Sequence, residues 1–142
     1  MFPIDATTAD LVTHLRKILP EVMANNIWCA ETSADPANWT PENPAYGQCA
    51  VTALLVQDLC GGEIVWAEAV LPDGSKVSHY FNRLDGGEEL DVTRGQFPEG
   101  TIVPEGKPRK PGQDTRAYVL AYPVTVARYK LLCDRAGQPA NL

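Results

Sequence analysis

Between Gln48 and Cys60 the apolar positions crowd together instead of alternating. Val51, Leu55 and Leu59 recur at the spacing of one helix face, with Ala50 and Leu54 filling its flanks. The nearly continuous apolar run from Ala50 to Val56 predicts a helix buried on most sides. Gly47 ends a loop just before it, and Gly61-Gly62 stops it in the manner of a left-handed C-terminal cap. Upstream, Leu11, Leu15, Ile18, Leu19 and Val22 follow helical spacing, with Thr7 as cap and Asp10 three residues on. Pro20 is expected to end or kink that helix near Leu19.

From Asn25 to Pro44 the periodicity vanishes, and Asp35-Pro36 and Asn43-Pro44 mark turns. A loop this long inside a compact domain is commonly functional. Past the central helix, β-branched and aromatic runs predict strands over Glu63–Val70, Val77–Leu84 and Glu88–Val92. Pro72-Asp73-Gly74 and Asp85-Gly86-Gly87 supply the turns. Thr93 to Phe97 reads as one capped helical turn. Pro98 to Pro111 is irregular and is expected to be a mobile surface loop or a lid. Asp114-Thr115-Arg116 caps a short helix through Ala121, with a strand over Tyr118–Tyr122 as the alternative. Pro123 opens a last helix running to about Arg135, ended by Gly137. With no internal repeat, this order predicts one α+β domain over residues 1–142. In it a buried helix packs on an antiparallel sheet of three or more strands.

Composition narrows the function classes. A chain of 142 residues with 44% hydrophobic and 21% charged content can bury a core. The net charge of -6 argues against nucleic acid as a partner. The basic run Lys107-Pro108-Arg109-Lys110 reads as a solvated loop. No apolar run approaches the roughly 20 residues of a membrane span. The N-terminus lacks the basic start and apolar segment of a signal peptide, so a cytoplasmic protein is expected. Cys29, Cys49, Cys60 and Cys133 form no C-x-x-C pair, so no structural metal site is expected, and a reducing compartment disfavours disulfides.

The candidate chemistry begins at Cys49, at the mouth of the central helix. A thiol there meets free backbone N–H groups and the positive end of the helix dipole, which favour thiolate. His79 follows on a predicted strand, and then Asp91. Cysteine at a helix start, then histidine, then a carboxylate is the chain order of papain-like cysteine hydrolases. Strand alternation puts Val77, His79 and Phe81 on one face and Ser78, Tyr80 and Asn82 on the other. Asp91 must share the His79 face. A three-residue Asp85-Gly86-Gly87 loop pairs Leu84 with Glu88 and makes His79 the diagonal neighbour of Asp91. A two-residue Gly86-Gly87 loop puts Asp91 on the wrong side.

In this reading His79 takes the thiol proton and Asp91 orients the ring. The Cys49 N–H meets the oxyanion. Gln48, or a polar side chain from the Asn25–Asn43 loop, supplies a second donor, unless Gln48 only caps the helix. Asn82 is a weaker orienter than Asp91. Trp28, Glu31 and Trp39 belong to the loop and either wall a substrate pocket or cap a core edge. His14, on the first helix, reads as a surface or boundary residue.

Several blocks together resemble the small bacterial YunG-like family. They are Glu31-Thr32-Ser33, Trp39 to Pro44, Gly47 to Leu54, Gln57-Asp58, Gly61-Gly62-Glu63, His79 to Leu84, Glu89 to Phe97 and Arg128 to Leu132. The family has no firmly assigned activity. Its Gln-Cys-Ala, His-Tyr and Asp-hydrophobic-Thr blocks are similar to those of papain-like or NlpC-like cysteine hydrolases. The resemblance implies a papain-like core with Cys49, His79 and Asp91 as its site. Two features depart from the pattern: Cys29 stands where Ser is expected, and the 98–111 segment is particular to this chain.

The resulting expectation is a cysteine hydrolase or acyltransferase acting on an amide, peptide, isopeptide or thioester bond through a Cys49 thioester. Its substrate would be a small molecule or a peptide, with no cofactor and no membrane or nucleic-acid partner. The open alternative is a non-enzymatic peptide- or small-ligand-binding module on an inactive papain-like scaffold. A third reading makes Cys29, Cys49 and His79 ligands of a transition metal.

Overall fold

The structure is a computed structural model that describes residues 8–142. The cap expected at Thr7 lies outside the described residues. The elements are α1 (Thr8–Ala24), α2 (Cys49–Cys60), β1 (Glu63–Val70), β2 (Lys76–Arg83), β3 (Glu89–Leu90), α3 (Thr115–Leu120) and α4 (Pro123–Ala136). Short 3-10 turns stand at Ala30–Thr32, Pro36–Asn38 and Arg94–Gln96. The strands form one antiparallel sheet in the order β1-β2-β3, so the protein is α+β.

The apolar crowding of α2 becomes burial all round: Val51 through Val56 are all buried. Tyr129, Leu132 and Cys133 of α4, Ile64 and Leu90 of the sheet, and Trp28 and Ala45 of the long loop share one core with it. Thr52 is tolerated inside because its hydroxyl accepts a 2.9 Å bond from Trp28 Nε1. Leu59 is the exception, 54% exposed where the helix leaves the core. On α1 the expected stripe is corrected by about one position. Val12 and Met23 are buried, Leu15 and Leu19 pack between them, and Val22 is exposed. The helix also runs through Pro20 to Ala24. Burial of Met23 rewards the extra turn and offsets the backbone bond that Pro20 cannot make.

The second hairpin takes the register with a three-residue loop. Leu84 N–H donates to the Glu88 carbonyl and Gly87 N–H to the Leu84 carbonyl, each at 2.8 Å. Asn82 then pairs with Leu90. β3 is shorter than predicted because the chain turns after Leu90, with Arg94 N–H bonded to the Asp91 carbonyl. The first hairpin pairs Val65 with Phe81 and Ala67 with His79, and Val65, Ala67 and Phe81 form a second, smaller core.

The 98–111 stretch is not a free excursion. It lies along the open edge of β1, where Trp66 pairs with Lys107 and Val70 with Ile102. Each pair exchanges two backbone bonds of 2.7–2.9 Å. Between them the strap carries one more residue than β1, and this bulge lets Val103 turn onto the small core. Gly106 crosses closest, donating its N–H to Glu89 at 2.8 Å while Arg83 donates to its carbonyl. A Cβ there would sit 2.3 Å from Val65 Cγ2 and 3.0 Å from Phe81 Cζ. Gly106→Ala is therefore expected to cost about 1–3 kcal/mol through overpacking. Thermal unfolding by circular dichroism should show a melting point lower by roughly 3 °C or more. An unchanged melting point would mean that the strap does not press on Val65.

Candidate active site

The approach to α2 is fixed by Gly47. Its φ of +72° is open to glycine, and a Cβ there would fall 2.2 Å from Ser33 Oγ. Its carbonyl accepts from Ala34 N–H at 2.9 Å and its N–H donates to Gln96 Oε1 at 3.3 Å. Ser33 is wholly buried and clamps the same turn through its 2.9 Å bond to the Tyr46 carbonyl. Gln48 follows as the N-cap residue, but its side chain makes no capping bond. It points inward, wholly buried, and donates from Nε2 to the Cys29 carbonyl at 2.9 Å. Gln48 thus ties the helix start to the Ala30–Thr32 turn. Cys49, the first residue of α2, is half-buried.

His79 is wholly enclosed. Its Nε2 stands 2.9 and 2.8 Å from the two Asp91 carboxylate oxygens. Phe81 stacks on the ring at 5.5 Å and Phe97 meets it edge-on at 4.9 Å. Nδ1 has no partner in ordinary hydrogen-bond geometry, which leaves it as the ring nitrogen open to the Cys49 thiol. Burial alone would lower the imidazole pKa. The hydrogen bonds to Asp91, with the nearness of the Cys49 sulfur and the charges of both groups, override burial and push it up to about 9. At neutral pH the ring is therefore an imidazolium, held by the Asp91 carboxylate and facing Cys49.

The segment after β3 does more than place Asp91. Phe97 closes the ring from one edge, and Gln96 reaches back to the Gly47 N–H that precedes the thiol. Gln96 is held by its own bond to Thr93 Oγ1 at 3.0 Å, and its carbonyl accepts from Asn43 Nδ2 at 3.1 Å. One seven-residue block thereby sets both the histidine and the approach to the cysteine. Gln96 and Phe97 carry no chemical signature of their own, and their role appears only when the turn after Asp91 is folded.

The remaining candidates stand elsewhere. Trp28 is core, bonded to Thr52, and Trp39 is half-buried with Nε1 donating to the Pro44 carbonyl at 2.9 Å. Glu31 is exposed on the Ala30–Thr32 turn. Asn82 faces the other side of the sheet and donates from Nδ2 to the Ala53 carbonyl at 2.9 Å, fastening β2 to α2. Among the described residues no group of three or more His, Cys, Asp and Glu side chains is placed to hold a metal ion. The grouping of Cys29, Cys49 and His79 as ligands is therefore not assembled. The basic run at 107–110 is not merely solvated, because Lys107 and Arg109 lie over the Trp66 ring at 5.5 and 4.7 Å. No helix among the described residues is long and apolar enough to cross a membrane.

Fold and site together define a small α+β protein with a helix-start thiol beside a carboxylate-bound, buried imidazole. The family follows from sequence comparison: residues 14–139 match the model of the YunG protein family, and the chain belongs to that family. It is 33% identical over 84 residues to the uncharacterized protein YunG of Bacillus subtilis (strain 168), a match covering 59% of this chain and 61% of that protein. No solved structure matches the chain.

The elevated His79 pKa has a stability consequence of definite sign. Because the folded value lies above the ordinary 6.5, the contribution is full below pH 6.5 and is lost as pH rises through about 9. The protein has two histidines, so ring resonances in NMR can be assigned by substituting His14. The His79 midpoint should fall near 9, and Asp91→Asn should move it clearly down, since the carboxylate's bond and charge are then lost while burial remains. An unmoved midpoint in Asp91→Asn would show that the carboxylate does not hold the ring charged.

Proposed function

We propose that this protein is a cysteine hydrolase or acyltransferase with a papain-like core, acting on an amide, peptide, isopeptide or thioester bond of a small molecule or peptide. The observation that carries the reading is the His79 ring, bonded through Nε2 to both Asp91 oxygens with Nδ1 left for Cys49. The working state pairs a Cys49 thiolate with the His79 imidazolium, and the thiolate sulfur adds to the substrate carbonyl carbon. The carbonyl oxygen becomes an oxyanion facing the free first-turn N–H of Cys49. As the tetrahedral adduct collapses, the bond to the leaving group breaks and His79 protonates it. Water, or an acceptor nucleophile, then gives a proton to His79 and attacks the thioester, releasing the acid or the transfer product and restoring the thiolate–imidazolium pair. Asp91 holds the ring orientation and balances the imidazolium charge. Gln48, buried and bonded to Cys29, serves as a positioning residue. The four thiols are all free, which supports a reducing compartment such as the cytoplasm.

The alternative of a binding module on an inactive scaffold draws on one observation, the burial of Gln48. That burial leaves the oxyanion with a single donor argued from this chain. Alkylation separates the two readings. Peptide mapping after limited iodoacetamide treatment at pH 7 should find Cys49 labelled roughly tenfold or more faster than Cys29, which is also half-buried. Cys60 and Cys133, whose thiols burial pushes up, serve as slow references. His79→Ala should slow Cys49 and leave Cys29 unaffected. Equal rates at Cys49 and Cys29 would sink the catalytic assignment and favour the binding module.

A further inference from the structure

In a chain of net charge -6, the strap leaves three cations close together: Lys107, Arg109 and Lys110. Among the described residues no carboxylate lies within ion-pair distance of any of them. They are organised by aromatic rings instead. The Arg109 guanidinium lies 4.7 Å from the Trp66 ring and 5.1 Å from the Tyr118 ring. Lys110 Nζ adds a contact at 5.7 Å to Tyr118. The Arg109 backbone is fixed as well, its N–H donating to the buried Thr115 Oγ1 at 3.2 Å, and the Trp66 ring is held by its Nε1 donating to Ser78 Oγ at 2.6 Å. Arg109 Nε is buried with no hydrogen-bond partner. A buried, charged donor without an acceptor is costly unless a ligand completes it.

This cluster is joined to the candidate site through the sheet, because Trp66 pairs with Tyr80, the residue that follows His79. Tyr80 packs on the core that contains α2, and the charges of both Arg109 and Cys49 reach its hydroxyl. Its own hydroxyl pKa is pushed up to about 12, chiefly by burial, so it stays a neutral donor next to the guanidinium.

We propose that Arg109, gripped by Trp66 and Tyr118 and seconded by Lys110, receives a carboxylate carried by the substrate of Cys49. A guanidinium fork fixed against flat rings matches a planar carboxylate better than a flexible lysine would. The substrate class becomes an acyl compound with a carboxylate near the bond attacked, either a free acid or an acidic residue of a peptide. The inference extends the hydrolase reading, but its test does not require turnover.

Matched alkylating reagents read the site directly: iodoacetyl-glycine and iodoacetyl-β-alanine against their neutral amides, with iodoacetyl-glutamyl-glycinamide as the peptide-like acid. Rates at Cys49 are expressed as the ratio of acid to amide and normalised to the same ratio at Cys29. At least one acid should label Cys49 about tenfold faster than its amide, the scale of a charge-assisted hydrogen bond. Arg109→Gln should return the ratio to that of Cys29, Arg109→Lys should restore part of it, and Lys110→Gln should lower it less. Preference for the glutamyl reagent over the free acids marks a peptide substrate, and the reverse marks a free acid; either supports the site. A ratio equal to that of Cys29 with every reagent, or one that survives Arg109→Gln in a variant with native circular dichroism, overturns the proposal. If Cys49 is slow with the amides while the acid gain is present and lost in Arg109→Gln, the carboxylate site stands and the hydrolase reading fails. If the amides label Cys49 rapidly and the acids gain nothing, the hydrolase reading stands and this site does not.

Discussion

A helix that is apolar on every side must be covered on every side, and α2 imposes that demand on the rest of the chain. The sheet covers one flank through Ile64 and Leu90, α4 another through Tyr129, Leu132 and Cys133, and Trp28 fills a third. Polar fastenings sit where the cover would otherwise slip. Asn82 bonds to the Ala53 carbonyl, and Arg116 of α3 joins the Leu54 carbonyl, Gln57 and Asp58 to Tyr129 of α4. A rod enclosed this way reaches solvent only at its ends. Its C-terminal end exposes Leu59; its N-terminal end presents Cys49, with first-turn N–H groups that the helix itself cannot satisfy. The position of the thiol is thus a consequence of packing before it is a matter of chemistry.

The histidine is governed by two opposing effects. Enclosure by Phe81 and Phe97 removes water from the ring and disfavours its charge. The Asp91 carboxylate, bonded through both oxygens, favours charge and prevails. Asp91 keeps 18% of its side chain exposed, so the pair is buried at the imidazole end and wet at the carboxylate end. That asymmetry limits the desolvation cost which makes fully buried ion pairs weak contributors to stability. It also means that the aromatic rings shape the site by restricting where a proton can go, since Nε2 is occupied and Nδ1 is the position left.

Much of this could be read from residue order. The extent of α2, the limits of β1, the cap at Asp114 and the stop at Gly137 follow from periodicity and from Gly and Pro placement. The three-residue hairpin was one of two registers the sequence allowed, and Asp85-Gly86-Gly87 suits it because Gly87 takes a φ of +92°. Other features depend on long-range contacts that no local pattern carries. Pro20 reads as a stop, and only the burial of Met23 explains why α1 continues. Gln48 looks like a cap or an oxyanion donor by position, yet the Cys29 carbonyl 19 residues earlier claims its amide. Gln96 and Phe97 stand out in the sequence only as part of the Thr93–Phe97 turn and of the Glu89–Phe97 block of the resemblance, because a ring contact and a bond to Gly47 N–H need the folded turn.

The 98–111 strap shows why a segment without periodicity can still be well determined. Rich in proline and glycine, it has little to gain from a helix, and β1 offers it an open edge that would otherwise be a hazard of unpaired backbone groups. Pairing at Ile102 and Lys107 closes that edge, and the bulge between them lays Val103 and Gly106 over Val65 and Phe81, the neighbours of His79 in the sheet. Having passed Lys107, the chain can only continue beside Trp66, so Arg109 arrives at the Trp66 and Tyr118 rings with its backbone already bonded to Thr115. The same pairing that protects a sheet edge therefore fixes a cation on the helix-facing side of the sheet, over the Trp66 that pairs with Tyr80, the residue after His79. Edge protection, packing behind the histidine and placement of positive charge are one structural event, so disturbing any part of the strap should be felt in all three.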